Sequence, residues 1–214
     1  IFVNGEEVVI RSPKDAFKYN IGMIKQHFKL VDVFTATENI VLGMHDEEKF
    51  NLAEAEKKVR QITERYGFAV DLKKKIYEMS VSEKQTVEII KVLYRGANIL
   101  ILDEPTSQLD PIAASEFLQT LGRIHRELGT TVLLTEHRLE EALPLATHAA
   151  VMDGGRLLCT GAPAEVGGLL RQEGHRMFLA MPSAMRIWAS VQSDASCPVT
   201  VREGRAFLTE WLTD

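Results

Sequence analysis

Asn98-Ile99-Leu100-Ile101-Leu102-Asp103-Glu104-Pro105-Thr106-Ser107-Gln108-Leu109-Asp110 is the stretch on which the fold turns. Ile99 to Leu102 is a continuous apolar run closed by two adjacent acids. A strand that is apolar at every position, not at every second one, belongs to a parallel sheet covered on both faces. Downstream, Ile112 to Leu128 reads as a helix that stops at Gly129, the residue type that most readily ends a helix in a left-handed turn. Thr131 to Leu134 is then a second buried strand, and Leu139 to Ala146 a helix. Strand, helix, strand, helix predicts a right-handed βαβ crossover and a mainly parallel sheet.

Upstream, Ser80 to Tyr94 reads as a helix with Val87, Ile90, Leu93 and Tyr94 as its apolar stripe and Gly96 beyond its end. Asn51 to Tyr66 is a second helix, with Val59, Ile62 and Tyr66 at helical spacing. Ile21 to Ile24 is a short strand running into Lys25-Gln26-His27-Phe28. Ser12-Pro13-Lys14-Asp15 carries a helix start, with Ser12 as N-cap and Pro13 at the first position. Asn4-Gly5 between Ile1 to Val3 and Val8 to Ile10 predicts a hairpin, as do Asp153-Gly154-Gly155 between Ala149 to Met152 and Arg156 to Cys159. After Gly168 the pattern weakens to a mixed extension.

Composition narrows the class. The 214 residues carry a net charge of −5 with 45% hydrophobic and 26% charged residues, ordinary for a globular domain with a sizeable core. A pI near 5.7 argues against general nucleic-acid binding, which needs clustered Lys and Arg; Lys73-Lys74-Lys75 reads as a solvated run. Cys159 and Cys197 fit neither a disulfide framework nor a zinc pattern, and read as reduced thiols. No apolar run approaches the roughly 18 residues of a membrane span, and no signal peptide is evident. His27, His45, His125, His148 and His175 read as ordinary surface or core histidines, and Trp188 and Trp211 as packing anchors.

Ligands of open parallel sheets sit at the carboxyl ends of the strands. The residues there are Gln26, Asp103-Glu104 and Glu136-His137. Two adjacent carboxylates on a strand tip suit phosphoryl transfer: one acid holds Mg²⁺ and the other polarises the attacking water. Asp103 fits the first role and Glu104 the second.

These stretches resemble a known family. Leu102 to Asp110 is similar to the Walker B strand and D-loop of ABC ATPases. Met79-Ser80-Val81-Ser82-Glu83-Lys84-Gln85 resembles the Leu-Ser-x-Gly-Glu form of the family signature, Gln26 the Q-loop, and His137 the switch histidine. Gly22 to Phe28 and Glu38-Asn39-Ile40-Val41-Leu42-Gly43 look like sugar and nucleoside importer ATPases. From about Ser107 onward, including Thr135 to Glu141, the chain looks more like energy-coupling-factor ATPases. The resemblance implies an α/β, P-loop NTPase-like nucleotide-binding domain over residues 1–168, with a helical subdomain at about 38–96 and an extension at 169–214. It also implies ATP and Mg²⁺ as cofactors, and a role coupling ATP hydrolysis to solute import. The partners would be a second ATPase subunit and a transmembrane subunit docking near Gln26 to Gly43. The location would be cytoplasmic, peripheral to the inner face of the cell membrane. By the same resemblance Asp103 and Gln26 contact Mg²⁺, Glu104 activates water, and His137 meets the γ-phosphate. Ser80, Val81, Ser82 and Glu83 close over the partner subunit's ATP, and Asp110 links the two sites.

The pattern also breaks. The family's Gly-x-x-x-x-Gly-Lys-Ser/Thr loop is missing, since none of the 14 glycines precedes a lysine. In the family that loop precedes the hairpin found at Ile1 to Ile10, so the chain is expected to start just after it, N-terminally truncated. Without the strand feeding that loop, Ile99 to Leu102 is expected to lose a neighbour. Ser82 stands where the signature has its second glycine, and Thr86 where it usually has arginine. A degenerate scaffold, or a chimera without ATPase activity of its own, is therefore the rival expectation.

Overall fold

The computed structural model describes residues 1–25, 28–43, 51–191 and 195–213. They fall into two compact units, Ile1–Thr135 and Glu136–Asp214.

The first unit opens with a hairpin of β1 (Phe2–Val3) and β2 (Glu6–Glu7). Asn4 and Gly5 both take positive φ, 52° and 85°, the turn geometry that Asn-Gly favours. The second strand is Glu6–Glu7, earlier than the apolar Val8 to Ile10, because so tight a turn pairs the residues next to it: Phe2 faces Glu7 and Val3 faces Glu6. Helix α1 (Pro13–Lys18) starts as expected, with the Ser12 hydroxyl accepting from the Asp15 amide. Strand β3 (Ile21–Ile24) follows.

Three helices then pack on one another: α2 (Ala36–Val41), α3 (Leu52–Tyr66) and α4 (Val81–Tyr94). Ile40, Val59, Ile76, Val87 and Ile90 form their fully buried centre. The buried Asn39 amide grips the main chain before α2. Its Oδ1 accepts from the Val31 N–H at 2.7 Å and its Nδ2 donates to the Val31 and Thr35 carbonyls.

Strand β4 (Ile99–Asp103), helix α5 (Pro111–Leu128) and strand β5 (Thr131–Thr135) complete the unit. The sheet is parallel, in the order β3-β4-β5. Here the structure corrects the sequence reading: β4 keeps two neighbours and lies in the centre. The less covered strand is β5, where Leu133 is 60% exposed, so Thr131 to Leu134 is not a buried strand. Burial in β4 also alternates: Leu100 and Leu102 are fully buried, whereas Ile99 and Ile101 are half-buried. Gly129 closes α5 at φ 65°, and the Arg123 guanidinium donates to the Tyr66 carbonyl at 2.7 Å, joining α5 to α3.

Asp110 caps α5, its Oδ1 accepting from the Ile112 and Ala113 amides at 3.0 Å. Removing such a cap costs about 1 kcal/mol. Asp110→Ala should lower the urea midpoint accordingly, while Asp110→Ser retains a capping oxygen and stays near wild type. Equal stability of all three forms would show that the cap contributes nothing.

The second unit holds α6 (Leu139–Ala142), a hairpin of β6 (Ala149–Asp153) and β7 (Arg156–Gly161), and helices α7 (Pro163–Gln172), α8 (Ser183–Ser190) and α9 (Val201–Thr213). Among the described residues after Gly168, the regular elements are helical. Leu143, Val151, Val166, Leu170, Met185, Trp188 and Phe207 make its core. Trp188 is a packing anchor, with Arg171 4.3 Å above its ring and its indole N–H donating to Ala195. Trp211 is not, being 43% exposed. Both cysteines are unpaired, and burial pushes the Cys197 thiol up to about 11.

Candidate functional site

The centre of interest is the carboxyl end of β4. Asp103 is its last residue and is exposed; Glu104 follows, half-buried. The ladder places Asp103 opposite Thr135 at the end of β5. The Thr135 hydroxyl donates to Asp103 Oδ1 at 2.8 Å. The Glu104 amide donates to both the Thr135 carbonyl and its hydroxyl oxygen, each at 3.1 Å.

Glu104 has φ 43°, which non-glycine residues adopt uncommonly. Such backbone persists only where the surroundings over-determine it, and it concentrates at functional sites. On the other side, the Ser107 amide donates to the Glu104 carbonyl at 3.2 Å. Thr106, immediately after Pro105, is fully buried. The two carboxylates are therefore presented by a constrained turn, with Thr135 fixing one and the backbone aiming the other.

The signature segment forms the first turn of α4. Ser80 is the N-cap: its hydroxyl accepts from the Glu83 amide at 3.2 Å, and Glu83 returns a carboxylate to the Ser80 amide at 2.7 Å. Lys74 binds the same carboxylate at 2.8 Å and, with the Ser80 amide, holds Glu83 below the usual carboxylate range. Ser80 and Val81 are exposed, whereas Ser82 and Glu83 are half-buried. The Ser82 carbonyl accepts from the Thr86 hydroxyl at 3.1 Å, so the residue in the usual arginine position is turned back onto its own helix.

Gln26 lies outside the described residues, as do His27 and His45; β3 is described to Ile24 and the chain to Lys25. His137 belongs to the second unit, is exposed, and its amide donates to Glu136 Oε2 at 3.0 Å. Among the sequence-derived candidates, Asp103, Glu104, Asp110, Ser80, Val81, Ser82 and Glu83 all lie in the first unit. Thr135 was not singled out for a role by sequence reasoning. Its place opposite Asp103 could have been read from the two apolar runs, which end in register.

Mg²⁺ is bound through one or two carboxylates together with substrate phosphates. The exposed Asp103 carboxylate at a strand tip fits that mode. Among the described residues no group of three or more His, Cys, Asp or Glu forms an all-protein metal cage.

A family model described as ABC transporter matches residues 1–107. The nucleoside import ATP-binding protein NupA of Lactococcus lactis is 41% identical over 81% of this chain and 34% of its own length. A putative carbohydrate transport ATP-binding protein of Mycoplasma pneumoniae is 36% identical over 75% of this chain and 30% of its own. The structure of cbiO1 from Clostridium perfringens, part of the ABC transporter complex cbiONQ, superposes with a TM-score of 0.65 at 28% identity, covering 81% of this chain and 71% of that one. The chain belongs to the ABC transporter family and has the fold of its nucleotide-binding domains. It spans about a third of the length of the curated relatives it matches.

Proposed function

We propose that this chain supplies the ATP-binding and ATP-hydrolysing part of an importer. The observation that carries the reading is the constrained Asp103-Glu104 tip of β4, with Thr135 bonded to both residues. In this reading Asp103 holds Mg²⁺, which when bound neutralises phosphate charge. The Glu104 carboxylate accepts a hydrogen bond from the attacking water and orients it. His137 and Gln26 contribute further polar groups toward the γ-phosphate and the metal. Ser80, Val81, Ser82 and Glu83 offer the amide end of α4 to nucleotide on a second ATPase subunit, where the positive end of a helix favours anions. Asp110 connects the two sites. A transmembrane subunit docks near Gln26 to Gly43 and places the assembly at the cytoplasmic face of the membrane. The nucleoside and carbohydrate specificities of the relatives support a polar organic solute as cargo. Among the described residues no helix is long and apolar enough to cross a membrane, so this reading gives the chain a peripheral attachment. The Gly-Lys phosphate loop is not among these residues, and in this reading another segment or chain provides it. Residues 1–168 act as the ATPase domain, with 38–96 as its helical subdomain and 169–214 as an extension.

A second reading, a scaffold that pairs with a competent ATPase, is favoured by Ser82. Its Cβ stands where glycine lets backbone approach a phosphate closely. Calorimetric titration with Mg-ATP, alone and with a second ATPase subunit, separates the two. Binding in the micromolar range with phosphate release supports the enzyme. No binding at millimolar ATP in either setting leaves the scaffold.

A further inference from the structure

We infer that Gln85 is a positioning residue that aims Glu104, an inference that rests on the catalytic role proposed above for that carboxylate. Gln85 lies on α4 as the last residue of the signature-like stretch Met79 to Gln85, directly after the first turn of the helix, and is 2% exposed. Its Nε2 donates to the carbonyl of Pro105, the residue directly after Glu104. Proline has no N–H, so its carbonyl is the one main-chain group by which that residue can be held through a hydrogen bond. A residue before proline is itself restricted, and Glu104 adds a positive φ to that restriction. The unusual turn is thus gripped from both sides: the Glu104 amide by Thr135, and the Pro105 carbonyl by Gln85.

The two ends of the Gln85 amide differ. Its Oε1 is buried without a hydrogen-bond partner among the described residues. A buried orphan acceptor costs stability, and an apolar side chain of similar volume would not carry that cost. The contact that this side chain makes is through its donor end, to the Pro105 carbonyl. The helix that bears it is anchored: Glu88 Oε1 accepts from the Lys29 amide at 2.8 Å and Lys91 Nζ donates to the Lys29 carbonyl at 3.1 Å. Gln85 therefore transmits a fixed reference, the axis of α4, to the peptide that sets the direction of Glu104.

The test is Gln85→Met in the full chain, assembled with the partner subunits that support hydrolysis. The expected result is a fall in kcat of about ten- to a hundred-fold, the size of effect that misplacing a reacting group produces, with ATP affinity and thermal midpoint unchanged. Gln85→Glu is the companion variant. Its ionised carboxylate cannot donate to Pro105, but its protonated form can, so its kcat should recover as pH falls, on a profile that wild type lacks. Unchanged kcat in both variants, or a parallel loss of kcat and thermal midpoint, overturns the inference. If wild type shows no hydrolysis sensitive to Glu104, the functional proposal fails separately. Gln85 is then judged by amide hydrogen exchange in the isolated chain. Faster exchange at Glu104 and Ser107 in Gln85→Met, with Leu100 to Leu102 unaltered, upholds the positioning role. Equal exchange removes it.

Discussion

Glu104→Gln should reduce steady-state phosphate release by about 10²- to 10⁴-fold, the range over which a positioned acid–base group contributes, and leave Mg-ATP binding intact. The substitution is nearly isosteric. The contacts that hold the turn use main-chain atoms: the amide of residue 104 to Thr135, and its carbonyl to the Ser107 amide. The backbone conformation at φ 43° should therefore survive, while a carboxylate able to accept a proton from water is lost. That separation makes the variant informative. Bound nucleotide with hydrolysis abolished assigns the water-activating role to Glu104. Hydrolysis at the wild-type rate removes the residue from the chemistry and leaves the turn as a structural feature only. Loss of binding together with hydrolysis would mean that residue 104 contributes to ground-state contacts, which the geometry does not suggest, because Asp103 is the acid more exposed at the strand tip.

Much of this site is local in sequence and was legible for that reason. Ile99 to Leu102 announces its own strand, and Asp103 and Glu104 must then stand at its carboxyl end. Gly129, Ser12 and Asn4-Gly5 take up the helix end, helix start and turn that their backbone and side-chain chemistry favours. What was not legible depends on neighbours remote in the chain. Apolar character gave β4 and β5 the same appearance, yet β4 lies between two strands and β5 does not, and Leu133 of β5 is largely exposed. Trp211 could not be told from Trp188 without knowing which of them meets Arg171 of α7 and the Ala195 carbonyl. The positive φ of Glu104 has no signature in residue type, since glutamate does not favour it. The Gln85 contact spans 20 positions, and the signature resemblance drew attention to Ser80 and Ser82 instead. Gln26 carried a clear expectation that lies outside the described residues.

Gly22 combines the two kinds of information and gives the largest stability effect expected of a single added methyl group. Gly22 sits in β3 opposite Leu100 of β4, facing α4. A Cβ on it would overlap Val92 Cγ1 and lie 3.1 Å from Ala97 Cβ. Val92 is 5% exposed, and a β-branched side chain in a helix has essentially one χ1 rotamer, so it cannot swing aside. Gly22→Ala must therefore push α4 away from the sheet, an overpacking cost of about 1–3 kcal/mol. In urea unfolding this should appear as a lower midpoint at unchanged slope. Val92→Ala opens the space that the new methyl needs. The double variant should then be more stable than the sum of the single changes predicts, by about 1 kcal/mol or more, as expected for residues in contact. Strict additivity would show that β3 and α4 have room to separate and that the close approach is not a constraint. The outcome bears on the site as well. Moving α4 moves Gln85 relative to Pro105, and moving β3 moves the strand that leads to Gln26. Gly22→Ala should thus lower hydrolysis even under conditions where the chain remains folded, and Val92→Ala in the same chain should restore part of it.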